Sequence, residues 1–343
     1  MKLISVVSSC YNEEENVEPL YEAVKAIFAQ RPQYRYEHIL IDNGSKDRTA
    51  ERLRAIAARD SNVKVILNTR NFGHIRSPYH GFMQARGDAV IGMASDFQEP
   101  PELIPEFLQK WEEGYRIVLA VKSASAESGL FYALRKRYYR TLGRIADIEI
   151  VQQATGFGLY DRVVVEALRQ MRDPYPFFRG LLAEVGYEVA RVPYNQAPRQ
   201  RGVTSQNFYT LYDIAFLGIV NHSKVPLRLA TMIGFATAVL SLVVAFGYLT
   251  YKLLFWQQFT VGVAPLVIGL FFLSSVQLFF VGIVGEYIGS IYTQVRNHPH
   301  VFEKERINFD SVEGDGAAPA SRLASGHRVG AFQSVEGASP DST

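Results

Sequence analysis

The sequence predicts an α/β layer fold with a mostly parallel sheet, followed by a pair of membrane-spanning helices. Short apolar runs alternate with helical patterns through roughly the first two hundred residues. Polar turns rich in carboxylates and amides sit where several of those runs end. Late in the chain, Leu229–Tyr251 and Val263–Gly285 each run about 23 residues without a charge, long enough to cross a hydrocarbon core.

The strands come first. Leu3–Val7, Tyr36–Ile41, Val63–Leu67, Ala89–Met93 and Ile117–Val121 read as buried strands. Between the first two, Val17, Leu20, Val24, Ile27 and Phe28 recur at helical spacing, with Glu13–Glu15 at the favourable N-terminal end. The first apolar run leads into Tyr11-Asn12-Glu13-Glu14-Glu15 without a small-residue cleavage site, so it reads as a strand rather than a leader. Ligands of such sheets bind beyond the carboxyl ends of strands. Asp42 and Asp96 each follow a strand, so both are expected in one crevice.

The flanking cations set the orientation of the spans. Lys224 and Arg228 precede the first, Arg296, Lys304 and Arg306 follow the second, and only Lys252 lies between them. An excess of Lys and Arg marks the cytoplasmic side, so both chain ends and the globular domain are expected there. Phe208, Leu211, Tyr212, Ala215, Phe216 and Ile219 form one helical stripe. It suits an in-plane interfacial helix or a helix docked on the main domain; the neighbouring spans favour the first. The tail from Ser311 to Thr343 is rich in Gly, Ala, Ser and Pro without periodicity and reads as disordered.

At 343 residues, with 48% hydrophobic and 20% charged residues and a net charge of +2, the chain lacks the basic excess of a nucleic-acid binder. Its only cysteine, Cys10, cannot form an internal disulfide and fits a reducing compartment.

Three motifs carry the chemistry. Val6–Glu14 runs from a strand into a polar turn, and Ile41–Asp47 from a strand through a turn into a helix. Asp42 can accept hydrogen bonds from a base or ribose, and Gly44 permits close backbone approach. In Ser95–Glu102, Asp96 and Gln98 alternate on a segment expected to be extended, so both oxygens can face one cation. Hard oxygens of this kind suit magnesium or manganese held together with substrate phosphates. Each motif also has a plainer reading. Asp42–Ser45 can be only a turn and helix cap, and Asp96 can simply cap the helix after Pro100-Pro101.

In their order and strand-end positions these motifs resemble the polyprenyl-phosphate glycosyltransferases of the GT-A superfamily. That group includes dolichol-phosphate mannose synthases and bacterial undecaprenyl-phosphate glucosyltransferases. The resemblance runs from about Lys2 to Phe309. It implies a Rossmann-like GT-A catalytic domain over 1–205 and a juxtamembrane amphipathic segment over 206–228. Two transmembrane helices at 229–251 and 263–285 would lie within 229–287, with a cytoplasmic segment over 288–310 and a tail over 311–343. It also implies an inverting hexosyl transfer from a nucleotide-sugar, UDP-linked, to undecaprenyl or another polyprenyl phosphate, assisted by Mg2+ or Mn2+, in a homo-oligomer.

Residue by residue, the match implies donor contacts at Tyr11, Glu13, Asp42, Asn43 and Ser45, with metal contacts at Asp96 and Gln98. Lys122, ending a strand, can face the donor diphosphate, and Arg70 and the Arg135-Lys136-Arg137 cluster can face other anionic groups. For that cluster, a solvated charge run is an equal reading. Arg199-Gln200-Arg201-Gly202-Val203-Thr204-Ser205 resembles the family's Arg-x-x-Gly-x-Ser-Lys loop and makes Arg199 and Arg201 candidates for the acceptor phosphate. The departures are Ala94 for the first Asp of Asp-x-Asp, Asn43 for the second Asp of the turn, Gly156 where relatives place an acceptor-side carboxylate, and Ser205 for Lys. Two rivals follow: a processive synthase, disfavoured because neither Trp111 nor Trp256 sits in a Gln-x-x-Arg-Trp segment, and a non-catalytic nucleotide binder or flippase accessory.

Overall fold

The structure is a computed structural model that describes residues 1–123, 154–196, 224–255, 263–296 and 298–309. Five strands arise where the apolar runs predict them, each a little longer: β1 (Lys2–Cys10), β2 (Tyr34–Asp42), β3 (Val63–Asn68), β4 (Ala89–Ala94) and β5 (Ile117–Lys122). The helix between β1 and β2, α1 (Val17–Ala29), buries Val17, Leu20, Val24 and Phe28 as its spacing requires, together with Tyr21. Next come α2 (Thr49–Arg59), α3 (Gly73–Gln84) and α4 (Ile104–Glu112). Later in the chain lie β6 (Ala154–Asp161), α5 (Arg162–Met171), α6 (Phe178–Val185) and β7 (Val189–Tyr194).

One sheet of eight strands, the last in sequence being β8 (Glu303–Ile307), holds the order β7-β5-β6-β4-β1-β2-β3-β8. Strands β1 to β4 are mutually parallel, β5 is parallel to β7, and β6 runs antiparallel between β4 and β5. This mostly parallel sheet, layered with helices, bears out the expected α/β class. Because β4 and β5 both oppose β6, the carboxyl ends of β1, β2, β3, β4 and β5 share one edge with the start of β6. Gly158 explains why β6 fits there: a Cβ would stand 2.1 Å from the Val118 carbonyl oxygen.

Two helices close the described chain before its last strand. α7 (Val225–Leu254) has 30 residues and α8 (Val263–Arg296) has 34, roughly 45 and 51 Å at 1.5 Å per residue. Both are long and apolar enough to cross a membrane, with mean hydropathy of 2.3 and 1.7 in their spanning segments. None of either apolar window is buried inside the protein, so neither serves as a core helix.

The segment expected as a plain cytoplasmic continuation holds a surprise. Glu303–Ile307 forms β8, which pairs antiparallel with the edge strand β3. Ion pairs fasten it: Arg54 grips Glu305, and Glu303 accepts from His80 Nε2 at 2.6 Å and from Arg306. Burial alone would raise the Glu303 carboxyl, yet those two partners push it down to about 2. The stabilisation is therefore fully present above the ordinary value of 4.5 and lost as pH falls toward 2. Glu303→Gln should flatten the acid side of the stability profile across that window, read by thermal unfolding in detergent; an unchanged profile would contradict this assignment.

Candidate active site

The strand order reverses at β1, whose neighbours are β2 on one side and β4 on the other. A crevice outside the carboxyl ends of β1 and β4 is the place where sheets of this kind take ligands. Tyr11 follows β1, Asp42 ends β2, and Asp96 lies two residues beyond β4. Strands are spaced by about 4.8 Å, so β2 and β4 stand roughly 10 Å apart across β1.

The turn after β2 is built to hold Asp42 still. Asp42 is 2% exposed, and its carboxylate accepts the Ser45 N–H at 3.1 Å and the Ser45 hydroxyl. Burial holds the carboxyl above its ordinary value, against the pull of those donors and of the Gly44 N–H. A carboxylate accepts more bonds than these, so capacity remains for a ligand donor. Asn12, at φ 55°, accepts from Lys46 N–H, and its own N–H donates to the Ser45 hydroxyl at 2.8 Å. The turns after β1 and β2 are thus laced into one wall. Glu13 belongs to it: its N–H donates to Thr49, and its carboxylate accepts from Asn16 at 2.5 Å.

Asn43 braces the wall from behind. Its amide nitrogen donates to Asn71 Oδ1 at 3.0 Å and to the Gly73 carbonyl at 3.1 Å. Its amide oxygen accepts the Phe72 N–H at 2.8 Å and Asn68 Nδ2 at 3.4 Å. Both hydrogens and both lone pairs are thereby engaged within the protein. Gly44 lies against the same loop, since a Cβ there would meet the Arg70 carbonyl carbon at 2.5 Å. The close approach expected at Gly44 is to the chain's own backbone. Arg70 itself is exposed, its guanidinium 4.2 Å from the Phe72 ring centroid.

The segment after β4 differs from expectation. Ser95–Glu99 is a bend, not an extended run, with Phe97 at φ 58°. The cause is local: Gln98 N–H turns back to Asp96 Oδ1 at 3.1 Å. Glu99, which sequence reasoning passed over, pins the bend from its far end. Its carboxylate accepts the Ala94 N–H at 2.7 Å and the Thr155 hydroxyl at 2.9 Å, joining β4 to the start of β6. Burial raises its proton affinity, the Asp96 charge adds to that, and Lys122 opposes it. Glu99 therefore senses both crevice groups. The cue in the sequence was its place inside the Ser95–Glu102 motif, read there only as a helix approach.

Lys122 ends β5 on the same edge, opposite Tyr194 of β7. Arg135, Lys136, Arg199 and Arg201, like the amphipathic stripe and the tail, lie outside the described residues. Among the described residues, no group of three or more His, Cys, Asp or Glu could hold a metal ion. Asp96 and Gln98 still offer hard oxygens, and a small cation that keeps water and phosphate ligands fits such a sparse protein shell.

The model of Glycosyl transferase family 2 matches residues 5–169, a stretch that contains Tyr11, Asp42, Asp96 and Lys122. An uncharacterised glycosyltransferase of Synechocystis sp. is 35% identical over 297 residues, covering 86% of this chain and 93% of its own length. The chain belongs to glycosyltransferase family 2. A prophage-derived bactoprenol glucosyl transferase of Shigella flexneri is 34% identical over 303 residues, covering 88% of this chain and 97% of its own. A prophage bactoprenol glucosyl transferase homologue of Escherichia coli is 32% identical over 297 residues, with 86% and 96% covered. As a glycosyltransferase the protein must grip a leaving group, and the wall around Asp42 is cross-bonded through Ser45, Asn12 and Asn43. Gly44→Ala should cost about 2 kcal/mol or more, because φ is 73° and the backbone of Arg70 cannot yield cheaply. Thermal unfolding checks it; a variant of wild-type stability would mean the loop is free to move.

Proposed function

We propose that the protein transfers a hexosyl group from a UDP-linked sugar to a polyprenyl phosphate at the cytoplasmic face of a membrane, inverting the anomeric centre. The observation that carries this reading is one chain holding both a strand-switch edge that gathers Tyr11, Asp42, Asp96 and Lys122 and two long unburied apolar helices. Such helices suit an enzyme whose acceptor keeps its hydrocarbon in the bilayer. Relatives named bactoprenol glucosyl transferases support the acceptor class.

The chemical problem is departure of a nucleoside diphosphate from the anomeric carbon. In this reading Tyr11, Glu13, Asp42 and Ser45 hold the nucleoside side of the donor. Asp96 and Gln98 would hold magnesium or manganese beside the donor phosphates, where a divalent cation neutralises charge on the leaving group. Lys122 adds a fixed positive charge on the same edge. The nucleophile is an oxygen of the acceptor phosphate. With a second pKa of about 6, a phosphate monoester is largely dianionic at pH 7 and needs no general base. Gly156, which has no carboxylate to offer, is compatible with that. The new bond forms from the acceptor oxygen as the bond to the diphosphate breaks on the opposite side, which inverts the configuration. Positioning is most of what remains, and Arg199 and Arg201, with Arg135 and Lys136, are the cations assigned to it.

Incubating membranes with a panel of nucleotide-sugars and undecaprenyl phosphate should yield a glycosylated lipid detectable by mass. Product from no donor would sink the acceptor assignment. Asp96→Ala should lower turnover by roughly a hundredfold or more, and excess chelator should do the same to the wild type. Full activity in chelator would remove the metal from the reading.

The topology is tested separately. A reporter fused after Phe309 should report the cytoplasm and one inserted near Gln257 the exterior; the opposite pattern would overturn the orientation.

A further inference from the structure

The chain leaves α8 at Arg296 and is bonded to α3 almost at once, through Arg76 Nη2 to the Pro299 carbonyl at 2.7 Å. Three residues of chain reach roughly 10 Å at most, so the end of the second apolar helix is leashed closely to α3. The segment then runs to the edge of the sheet. His300 is held on two sides: its Nε2–H donates to the Asp173 carbonyl at 2.8 Å, and its ring lies 5.0 Å from that of Tyr79. Val301 is 5% exposed.

What the segment touches next is the loop that braces the crevice. The Thr69 N–H donates to the Phe302 carbonyl at 2.9 Å, and the Phe302 ring lies 6.2 Å from that of Phe72. Phe72 is 7% exposed, carries the Arg70 guanidinium on its face, and donates its N–H to Asn43. Asn43 is in turn the residue next to Asp42. A continuous line of contacts therefore joins the exit of α8, through Phe302, Phe72 and Asn43, to the buried carboxylate at the end of β2.

We propose that Pro299–Glu303 is a positioning strap: it holds the Thr69–Gly73 loop against Asn43 and so shapes the donor half of the crevice, with Phe302 as its key. The inference rests on the donor reading above, in which that half of the crevice takes a nucleoside diphosphate. It assigns the post-membrane segment a role in donor affinity that its distance in sequence from every crevice residue conceals. β8 beyond it, from Glu303 to Ile307, is then the fastening that keeps the strap in place.

The full-length protein in detergent, titrated with UDP and manganese, separates positioning from stability. Phe302→Ala should weaken UDP binding roughly three- to tenfold, the scale of one aromatic contact, and speed hydrogen exchange at residues 69–73. Phe302→Tyr, which keeps the ring, should restore both. Asn308→Gly serves as the comparison. Asn308 sits at φ 60° and donates to the Ala57 and Val63 carbonyls at 2.7 and 2.8 Å, at the strand's other end. Glycine keeps that backbone while removing the bonds, so it should lower thermal stability and leave UDP affinity within twofold. Phe302→Ala with unchanged UDP affinity, or an equal loss in both variants, would overturn the strap. Failure of the wild type to bind UDP would instead strike the donor reading itself.

Discussion

Parallel pairing brings the chemistry of this protein together. Strands that run the same way end on the same side, and here five of them deliver Tyr11, Asp42, Arg70, Asp96 and Lys122 to one edge of one sheet. The order reverses at β1, so the connections after β1 and β4 diverge and leave a gap between them. The wall of that gap is then made rigid by bonds that run across the turns rather than along them. Asn12 reaches Ser45, Cys10 carries the Asn43 N–H, and Asn43 spends its whole amide on the loop after β3. Burial raises the proton affinity of Asp42 and Glu99 alike, against the hydrogen bonds each already accepts.

Much of the sheet was legible because its strands are buried on both faces and read as unbroken apolar runs. The strands that escaped notice lack that signature. β6 is interrupted by Gly156, at φ 102°, and by Gly158, where a Cβ would strike the Val118 carbonyl oxygen. β7 carries Pro193 and pairs, among the described residues, only with β5, as an edge strand can. β8, Glu-Lys-Glu-Arg-Ile, is almost wholly charged, and in the sequence it read only as cations marking the cytoplasmic side. Charges on an outermost strand are a usual defence against unwanted pairing, and here they also find partners in Arg54 and His80.

At the site, positions were easier to read than conformations. Asp42 and Asp96 stand beyond strand ends as expected, and Asn43 and Gly44 matter in that turn, though as braces and clearance against the protein's own loop. The bend at Ser95–Glu99 was hidden because it depends on Phe97 adopting a left-handed conformation that no aromatic residue advertises. Glu99 was hidden for a related reason: its partners, Ala94 and Thr155, lie on two strands whose adjacency only the antiparallel β6 creates.

In the proposed function the donor nucleoside sits against the wall formed by the turns after β1 and β2, with its phosphates toward Asp96. Photolabelling the full-length protein with a light-activated uridine diphosphate analogue, followed by peptide mapping, tests it most directly. Labelled peptides should span residues 9–13 or 40–46, with labelling suppressed by unmodified UDP. UDP-protected labelling confined to segments away from this edge would contradict it.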